Sequence, residues 1–333
     1  MPIVPWSSIS AHHKDCVILG NGASIALAKS LAYSSLYTTA ASLMHLSAKQ
    51  EQVFQFFGTQ DFEFVLHALS NANAINKHLS IHETETADAY QDVRDALIKT
   101  VKAVHPDHNV VSAHFDRIAK FLSPFPTVFS LNYDLMLYWS MMHANDKAGG
   151  NLFKDCFKAD AHFESDYDYL RKPHKSLPTS TLVFFPHGNL VLTTNMWGTE
   201  TKIAQAGGLL LDAITSSWTL GGYAPLFVSE GDSDKKLRSV LRNPYLNQVY
   251  SELCQPRKSI VIYGWGVGKQ DSHILNALGR AAVSRIAVSV YMADPDHDDF
   301  CYQVGRAIKK TRGLVGAQVE FFDSSAPGVW INP

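Results

Sequence analysis

Six short runs of apolar, β-branched or aromatic residues punctuate the chain: Cys16 to Leu19, Thr127 to Leu131, Thr181 to Phe185, Ser259 to Tyr263, Ile286 to Met292 and Val319 to Phe322. Such runs predict buried parallel strands. Each gives way at its C-terminal end to Gly, Asn, Asp or His: Gly20-Asn21-Gly22, Asn132-Tyr133-Asp134, His187-Gly188-Asn189, Gly264-Trp265-Gly266, Asp294 and Asp323. Helical spacing follows the first (Ile25, Ala28, Leu31, Ala32) and the fourth (Ile274, Leu275, Leu278), with Asp271 placed to cap the latter helix. Strand then helix, repeated, predicts an α/β fold, a Rossmann-like doubly wound parallel sheet whose strand ends line one crevice.

Between the first two strands, Ser34 to Lys120 is helical in character and predicts an insertion, with Phe62, Val65, Leu66 and Leu69 on one amphipathic face and Ala96, Leu97, Val101 and Val104 on another. Asn145 to Ser180 mixes glycines, aromatics and scattered charges and reads as an irregular loop or lid. A helix pair is predicted over Asp234 to Leu253, split where Asn243 and Pro244 supply an N-cap and a first-turn proline. All 333 residues are assigned to one domain carrying this insertion.

Composition narrows the function. Lys and Arg total 29 against 31 Asp and Glu, a net charge of −2 with no long basic run, which argues against direct nucleic-acid binding. Neither a signal-peptide core nor an apolar run of membrane-spanning length is present, so a cytoplasmic protein without membrane attachment is expected. The four cysteines, Cys16, Cys156, Cys254 and Cys301, form no C-x-x-C pair and are expected to be reduced, mostly buried thiols.

The turn Gly20-Asn21-Gly22-Ala23-Ser24 follows a strand and opens a helix, the context in which free N–H groups meet a pyrophosphate; a turn that merely connects the two elements reads the same way. The third glycine of the dehydrogenase fingerprint is missing, and Thr38 to Leu46 holds no carboxylate for a ribose, which argues against hydride transfer. Asn132 and Asp134 stand at the mouth of the second strand, as ligands or as helix caps, and His187 stands just past the third, as a base or as a structural side chain.

Taken in order, Gly20-Asn21-Gly22-Ala23-Ser24, Leu131-Asn132-Tyr133-Asp134, Pro186-His187-Gly188 and Tyr263-Gly264-Trp265-Gly266 with Asp271 resemble the sirtuin-like NAD-consuming family across almost the whole chain. Phe227-Val228-Ser229-Glu230-Gly231, followed by Lys235 and Tyr245-Leu246, is most similar to an uncharacterised bacterial subgroup related to antiphage NADases. The resemblance implies that the glycine turn and Ser24 bind NAD phosphates and ribose. It makes Asn132 orient the nicotinamide ribose or a water, Asp134 hold the carboxamide and His187 act as catalytic base. Gly264 and Gly266 would approach the adenine ribose, and Asp294 would accept a ribose hydroxyl. The four-cysteine zinc ribbon of sirtuin deacylases is missing, so the resemblance points to a metal-free NAD glycohydrolase acting in antiphage defence through NAD depletion. A homo-oligomer or a partner protein of the defence system is expected to control it. The alternative is a sensor that binds NAD or ADP-ribose without turnover; a zinc-independent deacylase ranks last.

The chemistry agrees with the residue types. Expelling nicotinamide leaves an oxocarbenium-like ribosyl centre, which needs a positioned sugar, a water and a proton acceptor but no metal. Other features have plainer readings. His105-Pro106-Asp107-His108 is expected to be a surface loop, and Asp294 to Asp299 an acidic strand-end loop that lacks the glycine of a calcium site. Thr59 or Asp61 with Glu63 reads as helix capping, and Lys235, Lys236, Arg238 and Arg242 read as a solvated helix face from which one residue could meet a phosphate. Trp330 is expected in the core or in a subunit interface.

Overall fold

All six apolar runs form strands, and those nearest the centre are buried throughout, because helices cover the sheet that they build. Numbered in chain order, the strands are β1 (Ile3–Val4), β2 (Cys16–Leu19), β3 (Thr127–Ser130), β4 (Phe153–Lys154), β5 (Thr181–Phe184), β6 (Gly188–Asn195), β7 (Glu200–Lys202), β8 (Tyr223–Phe227), β9 (Ser259–Tyr263), β10 (Arg285–Val290) and β11 (Gln318–Asp323). The computed structural model describes residues 2–333 apart from 33–34, 83, 159, 173–178, 196–198, 205–208, 221–222 and 229–231. Ser34 of the predicted insertion, residues 159 and 173–178 of the predicted lid and Ser229-Glu230-Gly231 thus lie outside the described residues.

Eight strands pair in parallel in the order β1-β11-β10-β9-β2-β3-β5-β4. From β2 the chain passes to β3, forms β4 at the edge and returns to β5 between the two, then crosses to β9 and runs outward on the other side through β10 and β11. Leu19 consequently pairs with Ser130 on one side and with Tyr263 on the other. This reversal of winding is the topological switch point of a doubly wound α/β sheet, and it opens a crevice at the C-terminal ends of β2 and β9.

The insertion is helical as predicted, with helices Leu36–Ser42, Ala48–Phe57, Phe62–His78 and Glu85–Val104. Phe62, Val65, Leu66 and Leu69 are buried, as are Ala96, Leu97 and Val101, so the two amphipathic stripes meet their partners. A small antiparallel sheet, ordered β7-β6-β8, is absent from the sequence reading; helix Phe62–His78 packs against β8, which ties the insertion to this small sheet.

Three expectations change. The periodicity through Ile25 to Ala32 yields only helix Asn21–Ile25 and a tight turn at Lys29–Leu31. The described part of Asn145 to Ser180 is largely irregular, as expected, but holds more regular and buried structure than the composition suggests: β4 extends the sheet beside β5, Tyr167–Arg171 is a short helix, and Phe153, Cys156, Phe157 and Leu170 are buried. His105, expected in a surface loop, is buried and accepts a hydrogen bond from the Leu135 N–H at its Nε2, 3.1 Å away. The helix pair is Ser233–Arg242 and Pro244–Leu253, with Asn243 accepting from the Leu246 N–H. The cysteines are free, and only Cys254 is not fully buried. Trp330 belongs to the core and donates from Nε1 to the Ala23 carbonyl at 2.9 Å. Among the described residues no helix is long and apolar enough to cross a membrane.

Candidate functional site

At the switch point the turns that leave β2 and β9 lie backbone to backbone. The Gly20 N–H donates to the Tyr263 carbonyl at 2.9 Å, the Gly22 N–H to the Gly264 carbonyl at 2.8 Å, and the Ala23 N–H back to Gly20 at 2.9 Å. A Cβ on Gly20 would stand 2.5 Å from the Trp265 Cα, and Gly264 has φ +66°. The glycines are thus required for the two turns to touch. The N–H groups of Gly20, Gly22 and Ala23 are committed within the protein, and Gly20 and Asn21 are the residues of this turn that line the cleft.

Beside this contact opens a cleft of about 330 Å³. Asn132, just past β3, forms part of its wall with Nδ2 donating to the Gly20 carbonyl at 2.9 Å and to Ser24 Oγ at 2.8 Å. Both amide protons are spent, so its carbonyl oxygen is what Asn132 offers a ligand. Ser24 is buried and passes its hydroxyl proton toward Asp134; Asp134 in turn accepts from the Met136 N–H at 2.9 Å. Burial raises the Asp134 carboxyl above its usual value, against those hydrogen bonds. Ser24 and Asp134 therefore stand behind Asn132 and fix it, rather than facing the cleft.

His187 sits at a turn in which the Gly188 N–H donates to Phe185, and its own carbonyl accepts from the Val228 N–H at 2.8 Å. The ring lines the cleft, yet the residue is 3% exposed. Its Nε2 lies 2.9 Å from His273 Nε2, and His273 Nδ1 lies 3.1 Å from Ser233 Oγ. Two imidazole nitrogens at that distance share one proton. The Leu131 carbonyl, which can only accept, is the other partner of the His187 ring. Neutral His187 thus keeps its lone pair at Nε2, His273 donates there, and the Ser233 hydroxyl donates to His273. Burial in the first place, with Lys236 and His273 adding to it, pushes His187 down to about 3, although Asp271 works the other way. Burial likewise takes His273 down to about 4.

Asp271 occupies the cap position of helix Ser272–Arg280 but makes no capping bond. Its Oδ1 instead accepts from Lys236 Nζ at 2.9 Å and lies 4.0 Å from His187 Nε2. Burial would raise this carboxyl; His187 and Lys236 outweigh it and hold it below its usual value. Lys236, expected on a solvated face, is 6% exposed and lines the cleft. The donor atoms of His187, Asp271 and His273 fall within 4.8 Å of one another, the ligand types of a divalent-cation site. Here the lysine ammonium occupies the cation's place on Asp271, and the Nε2 pair already shares a proton.

A family model described as a domain of unknown function, DUF4917, matches residues 17–330. The chain belongs to the DUF4917 family. No curated protein matches it.

In this DUF4917 chain the cleft gathers Gly20, Asn21, Asn132, His187, Gly264 and Gly266 of the residues singled out from sequence. Gly22, Ala23, Ser24 and Asp134 lie behind it, and Asp294 does not reach it; Asp294 caps its own exposed turn by accepting from the Asp296 N–H at 3.0 Å. Sequence reading missed Asp271 as an acid, His273 and Ser233, and named Lys236 only as one of four residues on a solvated face from which one could meet a phosphate. It also missed Tyr133, which lines the cleft and stacks on Phe227 with centroids 5.1 Å apart. His273 did carry a signal: Ala277 lies four residues on, so a histidine falls on the apolar stripe of an amphipathic helix, where an unpartnered imidazole would be unfavourable.

Proposed function

We propose that this protein is an NAD glycohydrolase that releases nicotinamide and ADP-ribose. One observation carries the reading: Asn132, with its carbonyl oxygen unspent, and His187, held by His273, come from the ends of two different strands and meet in one cleft at the switch point. The ribosyl C1′–N bond breaks with its electron pair going to nicotinamide, and a water oxygen bonds to C1′. The Asn132 carbonyl oxygen orients the ribose or the water, and His187 Nε2 takes the water's proton once His273 carries its own proton at Nδ1, toward Ser233 Oγ, instead of at Nε2. Tyr133 and Trp265 supply aromatic surface for the rings. The role in antiphage defence by NAD depletion, a cytoplasmic setting and control by self-association or a partner belong to the same proposal and follow from the sequence resemblance alone.

A second reading, a sensor of NAD or ADP-ribose, is favoured by one feature: a His187 held near 3 is a weak base at neutral pH. Nicotinamide release from NAD by the purified protein separates the two. For the hydrolase, His187→Ala and Asn132→Ala, each checked for folding, should lower release by about a hundredfold or more. Binding of NAD without release by the wild type would leave the sensor standing and remove the enzyme.

A further inference from the structure

Asp271 has one oxygen within reach of two cations, and only one of them is present. Lys236 Nζ holds Oδ1 at 2.9 Å, while His187 Nε2 waits at 4.0 Å, uncharged. Helix Ser233–Arg242, capped by Asp232, aims its two neighbouring lysines differently: Lys235 reaches the Gly58 carbonyl of the insertion, and Lys236 turns inward. Lys236 nevertheless lines the cleft, and its flexible four-carbon stem can redirect the ammonium without moving the helix.

The other charged groups near this pair are few. His187 is acted on by Asp271, Lys236 and His273, and His273 by Asp271 and Lys236. From the insertion, Asp61 is acted on by Lys236; burial lifts it to about 6 against the pull of the lysine and of its two capped N–H groups. Glu63, half-buried beside Asp61, is held well above the usual carboxyl range by loss of water and then by that neighbour. Among the described residues, Asp271 is thus the carboxylate that contacts both the lysine and the histidine.

A phosphate entering the cleft competes with Asp271 for Lys236. Once the ammonium leaves, a buried carboxylate stands alone beside an imidazole that can take up a proton and become its partner. We propose that Lys236 is a phosphate-operated latch on His187: the pyrophosphate of a bound dinucleotide draws the ammonium off Asp271, and Asp271 then becomes the counter-ion of protonated His187. This deepens, and rests on, the dinucleotide-hydrolase reading. It explains how a base silent in the free protein is armed by the part of the substrate furthest from the reacting bond, and it makes a phosphate-free riboside a poor substrate.

The test is an NMR titration of the histidine side chains, with His187 and His273 assigned through His187→Gln and His273→Gln. It compares the free protein with protein saturated by ADP-ribose, by inorganic pyrophosphate and by adenosine. The His187 midpoint should rise by about one pH unit or more with either phosphate compound and stay put with adenosine. Lys236→Met should show the raised midpoint without ligand, and ADP-ribose should add nothing. Binding of ADP-ribose with no movement of the midpoint, no binding of either phosphate compound, or an unchanged midpoint in Lys236→Met overturns the latch; if that variant does not fold, the wild-type titration decides alone. A midpoint that moves in a protein that never releases nicotinamide would remove the hydrolase and keep the latch. Release without movement would do the reverse.

Discussion

At the scale of single residues, the site consists of groups whose obvious bonds are already made. Asn132 has only its carbonyl oxygen left because Gly20 and Ser24 take its amide protons, so its orientation depends on a serine that does not line the cleft. Ser24→Ala should therefore reduce kcat about tenfold with little change in KM, while costing about 1 kcal/mol of stability for the lost hydrogen bonds. A KM that rises with kcat unchanged would return Ser24 to the role of a direct ligand. Sequence placed Asn132 and His187 at strand mouths because such mouths are where α/β sheets hold ligands. It could not separate Asp134 from them, since a carboxylate two residues past a strand serves a helix N–H or a ligand equally well. Lys236 and Asp271 stand 35 residues apart, and no local pattern announces a pair that only packing brings together.

Among the elements, the decisive contact is between the turns after β2 and β9. Two glycines with different environments test this. Gly20 has no room for a Cβ, whereas a Cβ on Gly266 meets nothing within 4 Å. Gly20→Ala should lose about 1–3 kcal/mol of stability through overpacking, seen as a lower urea midpoint. Gly266→Ala should leave that midpoint unchanged and weaken ADP-ribose binding, because its methyl points into space that the fold does not use. Equal stability losses at both positions would refute the division. Parallel strands were legible because both of their faces are apolar, and Asn243-Pro244 announced the break between two helices. The small antiparallel sheet was not legible: β7 is a polar triplet, Glu200–Lys202, and β8 carries Pro225, so neither bears a strand's ordinary signal. β4 is two residues long and is a strand only because β5 is beside it.

For the molecule as a whole, buried histidines set the response to acid. Burial takes His105 to about 4, His187 to about 3 and His273 to about 4, against about 6.5 in an unfolded chain. Between those values the unfolded chain holds protons that the native state refuses, so their stabilisation is complete above about pH 6.5 and is lost as pH falls, by up to about 1.4 kcal/mol per unit for each group. Asp61, raised to about 6, and Glu63 act oppositely and regain part of the loss. His105 stands apart from both carboxyls and from the coupled pair. His105→Gln, whose amide oxygen can still accept from Leu135, should flatten the fall in urea midpoint between pH 6.5 and 4.5; an unchanged slope would show that the group titrates normally. The doubly wound class was legible from the alternation of runs, but the strand order was not, because pairing joins segments that no sequence window contains. That order has a consequence for biosynthesis. The glycine turn leaves the ribosome well before Gly264, Trp265 and Trp330, which close against it. Until those residues emerge a nascent chain has no finished cleft, and a hydrolase of the proposed kind is inert up to that point.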